Sequence, residues 1–272
     1  MDQDFETVSG TLQYFQSVIS HSAKALDPVQ APLLRYFANA QSYRFVATDN
    51  RIDSNVDQTR DFTPADVASN AVRFTTYRNS SFSGFSMAYE LIRLNAAATN
   101  DLVALTHASF GAFSYERSDK LGNTSVDYRP FGYAILTPAV QIPTTGSLTY
   151  KGPIIGRAAP VESDVNGAFA YELTGHFTVT FDFAARTLSG TMSITGKRRF
   201  STETVDFGSF PLQQQTALAS VGAFSASAGS GKARGLIAGP NASEITLSAT
   251  FSKPNAVGVL TYQFTISGAG KR

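Results

Sequence analysis

Phe177, Val179, Phe181 and Phe183 fall on every second position, against His176, Thr178, Thr180 and Asp182. Side chains of a β-strand alternate between two faces, so this period of two gives one apolar and one polar face. The pattern returns after Ala184-Ala185-Arg186 in Leu188, Gly190, Met192 and Ile194, and again in Ile245, Leu247, Ala249 and Phe251. Beyond Lys253-Pro-Asn255 it closes the chain in Leu260, Tyr262, Phe264 and Ile266. A run of hairpins with one apolar face buries that face as a closed antiparallel barrel or a sandwich. Glycines within the strands, such as Gly190 and Gly235, suit tight curvature. About eight strands would fill such a barrel with side chains, making it scaffold rather than container.

The first half reads differently. Leu12, Phe15, Ile19, Ala23 and Leu26 recur at steps of three and four, which predicts a helix over residues 9–26 ended by Asp27-Pro28. Pro32 is expected to open a second helical turn carrying Leu33, Tyr36 and Phe37, and Ser42 to Ala47 a short strand. Asp49, Asp53, Asp57 and Asp61 are spaced by four, but Gln58 and Pro64 stand where a calcium loop counted from Asp53 needs Gly and Glu, so this reads as a solvated acidic loop. Thr63-Pro-Ala-Asp66 has cap, proline and acid in place for a short helix. Strands follow over residues 72–77, 85–92, 102–108, 110–116 and 127–137, with Lys120 to Asn123 as a turn. The expected fold is mainly β: an antiparallel sheet with one or two helices over residues 1–142, then an eight-stranded antiparallel barrel over 143–272.

Composition excludes several functions. The formal net charge of +1 over 272 residues includes no basic block, which argues against nucleic acid and against a polybasic membrane patch. Cysteine is absent, removing disulfides, thiolate metal sites and Cys nucleophiles. There is no Gly-x-Ser-x-Gly elbow, and Gly229-Ser-Gly231-Lys232-Ala233 has Ala233 where a phosphate loop needs a hydroxyl, so it reads as a hairpin turn. No apolar run reaches the roughly 20 residues of a membrane span, and Met1-Asp-Gln-Asp-Phe-Glu lacks the features of a secretory signal. Composition leaves two compartments open, the cytoplasm or an exported form whose signal has been removed.

Phe131-Gly132, Pro143-Thr-Thr-Gly146, Thr149-Tyr150-x-Gly152 and Gly156 resemble the start of the barrel in transferrin-binding-protein-B-like surface lipoproteins. Residues 181–190 are similar to an aspartate-phenylalanine hairpin of that barrel. Gly222-Ala-Phe224 with Gly235 to Ile245, including Gly239-Pro240 and Glu244, resembles its near-terminal motif. Ala238 replaces the family's usual aromatic, and Thr246-Leu247 its usual glycine pair. The resemblance covers about the last half of the chain and implies a single lobe of handle plus barrel. It further implies a non-catalytic, extracytoplasmic binding protein at the outer-membrane surface, secreted or periplasmic, of a Gram-negative bacterium. Such a protein captures a protein or small ligand, in metal or nutrient acquisition, for an outer-membrane receptor or translocator. Membrane attachment would be through a lipid anchor not present in this chain.

Two alternatives of the same fold are a haem-binding haemophore and a structural or adhesive envelope protein. Three histidines are too few for a multi-histidine metal centre without carboxylates. No metal or resident cofactor is expected, with haem as the alternative. His21 and His176 read as solvated. His107 reads as a half-buried core histidine or as an axial haem ligand. Aromatics in the first half exceed the needs of a small core, and Tyr77, Tyr115 and Tyr128 are with His107 the candidate ligand-binding residues.

Overall fold

In the computed structural model, residues 2–16, 21–30, 34–46, 59–71, 74–82, 86–94, 105–121, 123–163, 170–199, 201–213, 222–254 and 261–272 are described. The first part contributes β1 (Gln3–Gln16), β2 (His21–Gln30), β3 (Leu34–Phe37), β4 (Ser42–Phe45) and β5 (Arg60–Phe62). After a 3-10 turn at Pro64–Asp66 come β6 (Val67–Asn70), β7 (Phe74–Phe82), β8 (Ser86–Leu94), β9 (Ala108–Ser118) and β10 (Thr124–Ala134). The second part contributes β11 (Ser147–Pro160), β12 (Glu162–Ser163), β13 (Tyr171–Asp182), β14 (Thr187–Arg198) and β15 (Thr204–Gln213). It ends with β16 (Ala223–Ala228), β17 (Gly231–Ala238), β18 (Glu244–Pro254) and β19 (Thr261–Lys271).

β11 and β13 to β19 form a closed barrel of eight strands. The alternation read from the sequence points inward: Phe177, Val179, Phe181, Leu188, Met192, Ile194, Ile245, Leu247, Ala249, Phe251, Phe264 and Ile266 are all buried in one cluster. Phe251 stacks on Phe264 at 4.9 Å, and Phe224 meets Phe181 edge-on at the same separation. This interior is packed with aromatic rings. Gly229-Ser230 is the two-residue turn between β16 and β17, as the hairpin reading expects.

The remaining strands make an antiparallel sheet in the order β5-β4-β3-β1-β10-β9-β8-β7-β6, with β2 on β1 and β12 on β2. It curls until β5 comes near β7, and Pro64–Asp66 links its two edges. Leu34, Phe45, Phe62, Tyr77, Leu91, Phe113, Tyr115, Phe131 and Tyr133 fill the hollow. The Thr63–Asp66 signal is borne out as a 3-10 turn with a complete capping box.

Two helical expectations are overturned. Residues 9–16 and 21–26 lie in the antiparallel partners β1 and β2, and Tyr36 and Phe37 lie in β3. The physical reason is burial on both faces of β1: Val8 and Leu12 are as enclosed as Thr7, Ser9 and Thr11. Without a solvent face there is no polar alternation, and the scattered apolar residues mimic a helical stripe. Leu105 to His107 form a bend rather than a strand, and the strand expected at 127–137 runs from Thr124 to Ala134. Asp49, Asp53, Asp57, Val72, Arg73, Phe85 and residues 102–104 lie outside the described residues.

The convex face of the sheet lies on β18 and β19 of the barrel at very close range. The Gly10 amide donates to Ser248 Oγ at 2.8 Å. A Cβ on Gly132 would stand 1.8 Å from Thr246 Oγ1, so no larger residue fits. The barrel side of this seam is lined by small polar residues whose own bonds are satisfied locally: Thr246 donates to Gly268 O, Ser248 to Ile266 O and Ser267 to Leu247 O. Gly132→Ala is expected to lower stability by about 1–3 kcal/mol, the usual cost of overpacking. An earlier urea midpoint would show it, and adding Thr246→Ala is expected to restore part of the loss.

Candidate functional site

At the seam, Glu244 is buried at the start of β18, and its carboxylate accepts three consecutive backbone amides: Thr106 to Oε1 at 2.9 Å, His107 and Ala108 to Oε2 at 2.8 and 2.7 Å. A charged acceptor for successive N–H groups makes stronger bonds than neutral pairs do. Nearby, the Tyr150 hydroxyl donates to Ala242 O at 2.6 Å. Gly132, Tyr150, Ala242 and Glu244 all belong to the stretches that carry the family resemblance; Gly132 and Glu244 join sheet to barrel, while Tyr150 and Ala242 bond within the barrel. Glu244→Ala leaves these amides without an acceptor and is expected to cost about 2–4 kcal/mol, measured by urea unfolding.

The predicted binding residues are distributed over this frame. Tyr77 and Tyr115 meet in the hollow of the sheet, both buried. Asp127 and Arg129 also lie buried and are paired twice, at 3.0 Å each. Tyr128 points to the opposite face, toward the barrel, with the Arg157 guanidinium 4.4 Å over its ring. Burial pushes the Tyr128 pKa up against the opposing charge of Arg157. Burial also works against the charge on Arg157, but Tyr14, Tyr128, Glu90 and Glu172 outweigh it and raise its pKa. His107 stands on the bend before β9, its Nδ1 buried 3.8 Å from Glu244 Oε1 and without a hydrogen-bond partner among the described residues. The four residues therefore do not converge, and His107 and the tyrosines do not fit one haem pocket. His176 is exposed on the barrel wall.

A different constellation does converge. Asp4, Arg35, Arg44 and Asp61 are register partners across β1, β3, β4 and β5, so they form one row on the convex side of the sheet. Arg44 holds Asp61 twice, Nε to Oδ1 at 2.6 Å and Nη2 to Oδ2 at 2.7 Å, and Arg35 lies 3.3 Å from Asp4. Two like charges sit side by side in the middle of the row. They are tolerated because each has its own carboxylate on the outer side. Both guanidiniums also lie over the Phe37 ring, at 5.0 and 5.2 Å. The arginine and aspartate side chains of the row are 44–66% exposed. Fixed, partly exposed Arg and aromatic groups of this kind suit a recognition surface. Sequence reasoning missed it because Tyr36 and Phe37 were assigned to a helical turn and Asp61 to a loop. With Leu34 to Phe37 as a strand, the alternation puts Arg35 and Phe37 on one face.

The Arg44 hydrogen bond holds the Asp61 carboxyl below its usual pKa, while the same bond raises Arg44. A lowered carboxyl pKa stabilises the fold above its unfolded value, about 4. That contribution disappears as pH falls through the folded value. Asp61→Asn is expected to flatten the acid limb of stability, followed as urea midpoints below about pH 5.

No protein-family model matches the chain, and no curated protein matches it. Among solved structures it is similar to a transferrin-binding protein B double mutant from Haemophilus parasuis, at 13% identity and a TM-score of 0.45, over 93% of this chain and 48% of that one. An intact transferrin-binding protein B with N and C lobes matches at 12% identity and a TM-score of 0.39, over 98% of this chain and 76% of that chain. The isotype 1 protein from serogroup B Neisseria meningitidis matches at 14% and 0.35, over 98% and 63%. The chain spans about half the length of the first of these, and the likeness ends at the fold.

Proposed function

We propose that this chain is a non-catalytic, extracytoplasmic binding protein, in which the barrel is scaffold and the curled sheet presents the binding surface to a protein partner. The observation that carries this is the Asp4–Arg35–Arg44–Asp61 row over Phe37. Its side chains are already ordered by ion pairs and stacking, so less rotamer freedom is lost when a partner covers them. The row lies on the same convex face as the barrel contact but beyond the stretch that the barrel covers, and it turns outward the Arg and aromatic groups enriched in interface centres. The barrel supports the reading from the other side, since its interior is filled with rings such as Phe177, Phe181 and Phe264. Export follows from the motif resemblance, as does delivery to an outer-membrane receptor or translocator.

The test is capture by the immobilised full chain from the fluid surrounding the cells that make it. A specific protein is expected to be retained, and Arg35→Ala combined with Phe37→Ser is expected to weaken its binding by at least about tenfold. Thermal unfolding should show that the variant is folded. Retention equal to the parent chain would sink the assignment of this surface. Protease treatment of intact cells, expected to digest the protein, checks the compartment.

A further inference from the structure

A second constellation lies on the barrel, where the outward face of β11, β13 and β14 runs toward the sheet. Arg157 pairs in register with Glu172, and Glu172 with Lys197, so the three share one face in a row. Neighbouring strands are about 4.8 Å apart, which sets the spacing of these charges. Past Lys197 the chain continues through Arg198 and Arg199 to Ser201 and Thr202, and these five residues with Glu172 line an open cleft of about 370 Å³. That volume lies within the range of small-molecule sites, roughly 300–1,000 Å³.

The charges in the cleft are unevenly matched. Arg198 is tied to Glu203 at 3.1 Å. Arg199 donates to the Tyr14 hydroxyl at 2.8 Å and to Glu116 at 3.4 Å, which fixes it against the sheet. Among the described residues Lys197 forms no salt bridge, and its register neighbour across the strand is Glu172. At the inner end of the row, Arg157 is 5% exposed, and its Nη1 is buried without a hydrogen-bond partner. Arg157 itself lies over the Tyr128 ring and outside the lining of the cleft, to which it adds positive charge one strand beyond Glu172.

We propose that this cleft binds a small polyhydroxylated anion, a sugar carrying a carboxylate or phosphate. Lys197 takes the anionic group, with the fixed positive charges of Arg198 and Arg199 beside it, and Ser201 and Thr202 add neutral donors. Glu172 accepts from a ligand hydroxyl one strand spacing away. A simple inorganic anion uses only the cationic half of this arrangement, and a neutral sugar only the Glu172 half. The site is independent of the Arg35–Arg44 row, so the two readings stand or fall separately.

The test is calorimetric titration of the full chain with glucuronate, glucose 6-phosphate, glucose and inorganic phosphate. Saturable binding of glucuronate or glucose 6-phosphate at about 1 mM or tighter is expected, with glucose at least about tenfold weaker. Lys197→Ala, an exposed position, is expected to weaken both sugar anions by about tenfold or more. Glu172→Gln is expected to weaken them while leaving inorganic phosphate unchanged. Absence of saturable binding by either sugar anion would overturn the proposal. So would binding that is indifferent to Lys197→Ala, or inorganic phosphate binding as tightly as the sugar anions.

Discussion

The molecule depends on how closely its sheet and its barrel approach each other. Two layers of β-structure normally stand about 10 Å apart, held off by side chains between them. Here glycine on one side and Thr or Ser on the other let backbone amides bond directly to hydroxyls across the seam. The carboxylate of Glu244 extends the same logic to the bend before β9. Apolar contact adds area on either side of these polar bonds, through Val8, Phe110 and Leu236 in one cluster and Leu12, Tyr128 and Ala159 in another. The polar bonds fix one register for that contact, because a slip of one residue would drive Thr246 into a side chain.

This contact divides the sheet into unequal regions. The part of β1 from Val8 to Tyr14 is covered by the barrel, whereas Gln3 to Phe5 extend beyond it and pair with β3. The same strand is therefore anchored along one length and supports an outward-facing row along another. The hollow side is closed by rings, including the stacked pair Phe45 and Phe113 at 4.4 Å. The exposed row thus rests on the packed aromatic layer of the hollow, in a sheet anchored further along to a filled barrel. Rigid support beneath a binding surface reduces what must be ordered on binding.

Much of the barrel was legible in the sequence because each strand has one face toward rings and one toward water, so Phe177 to Phe183 could be assigned from spacing alone. The glycine motifs were legible too, although their physical role, clearance between sheet and barrel, appears only when Gly132 is set against Thr246. The replacement of a glycine pair by Thr246-Leu247 makes sense in that light: the space lies on the sheet's side. Strand β1 was illegible for the opposite reason, being enclosed on both faces with Ser9 and Thr11 doing what apolar residues usually do. The Arg35–Arg44 row was hidden because four separate strands supply its members. Tyr77, Tyr115 and Tyr128, expected to exceed the needs of the core, are buried within it, and spacing alone does not separate the hollow, which takes the first two, from the seam, which takes the third.

The pairing of the first strand also governs the order of assembly. β1 bonds to β10, and its Gly10 reaches Ser248, 238 positions later in the chain. Contacts this distant in sequence carry a large loop-closure cost and form late. Hairpins such as β13–β14 and β18–β19 can close as soon as their own residues are present, but β1 has no complete resting place until the final strands exist. A chain delivered from its N-terminus would hold that leading segment open to the last.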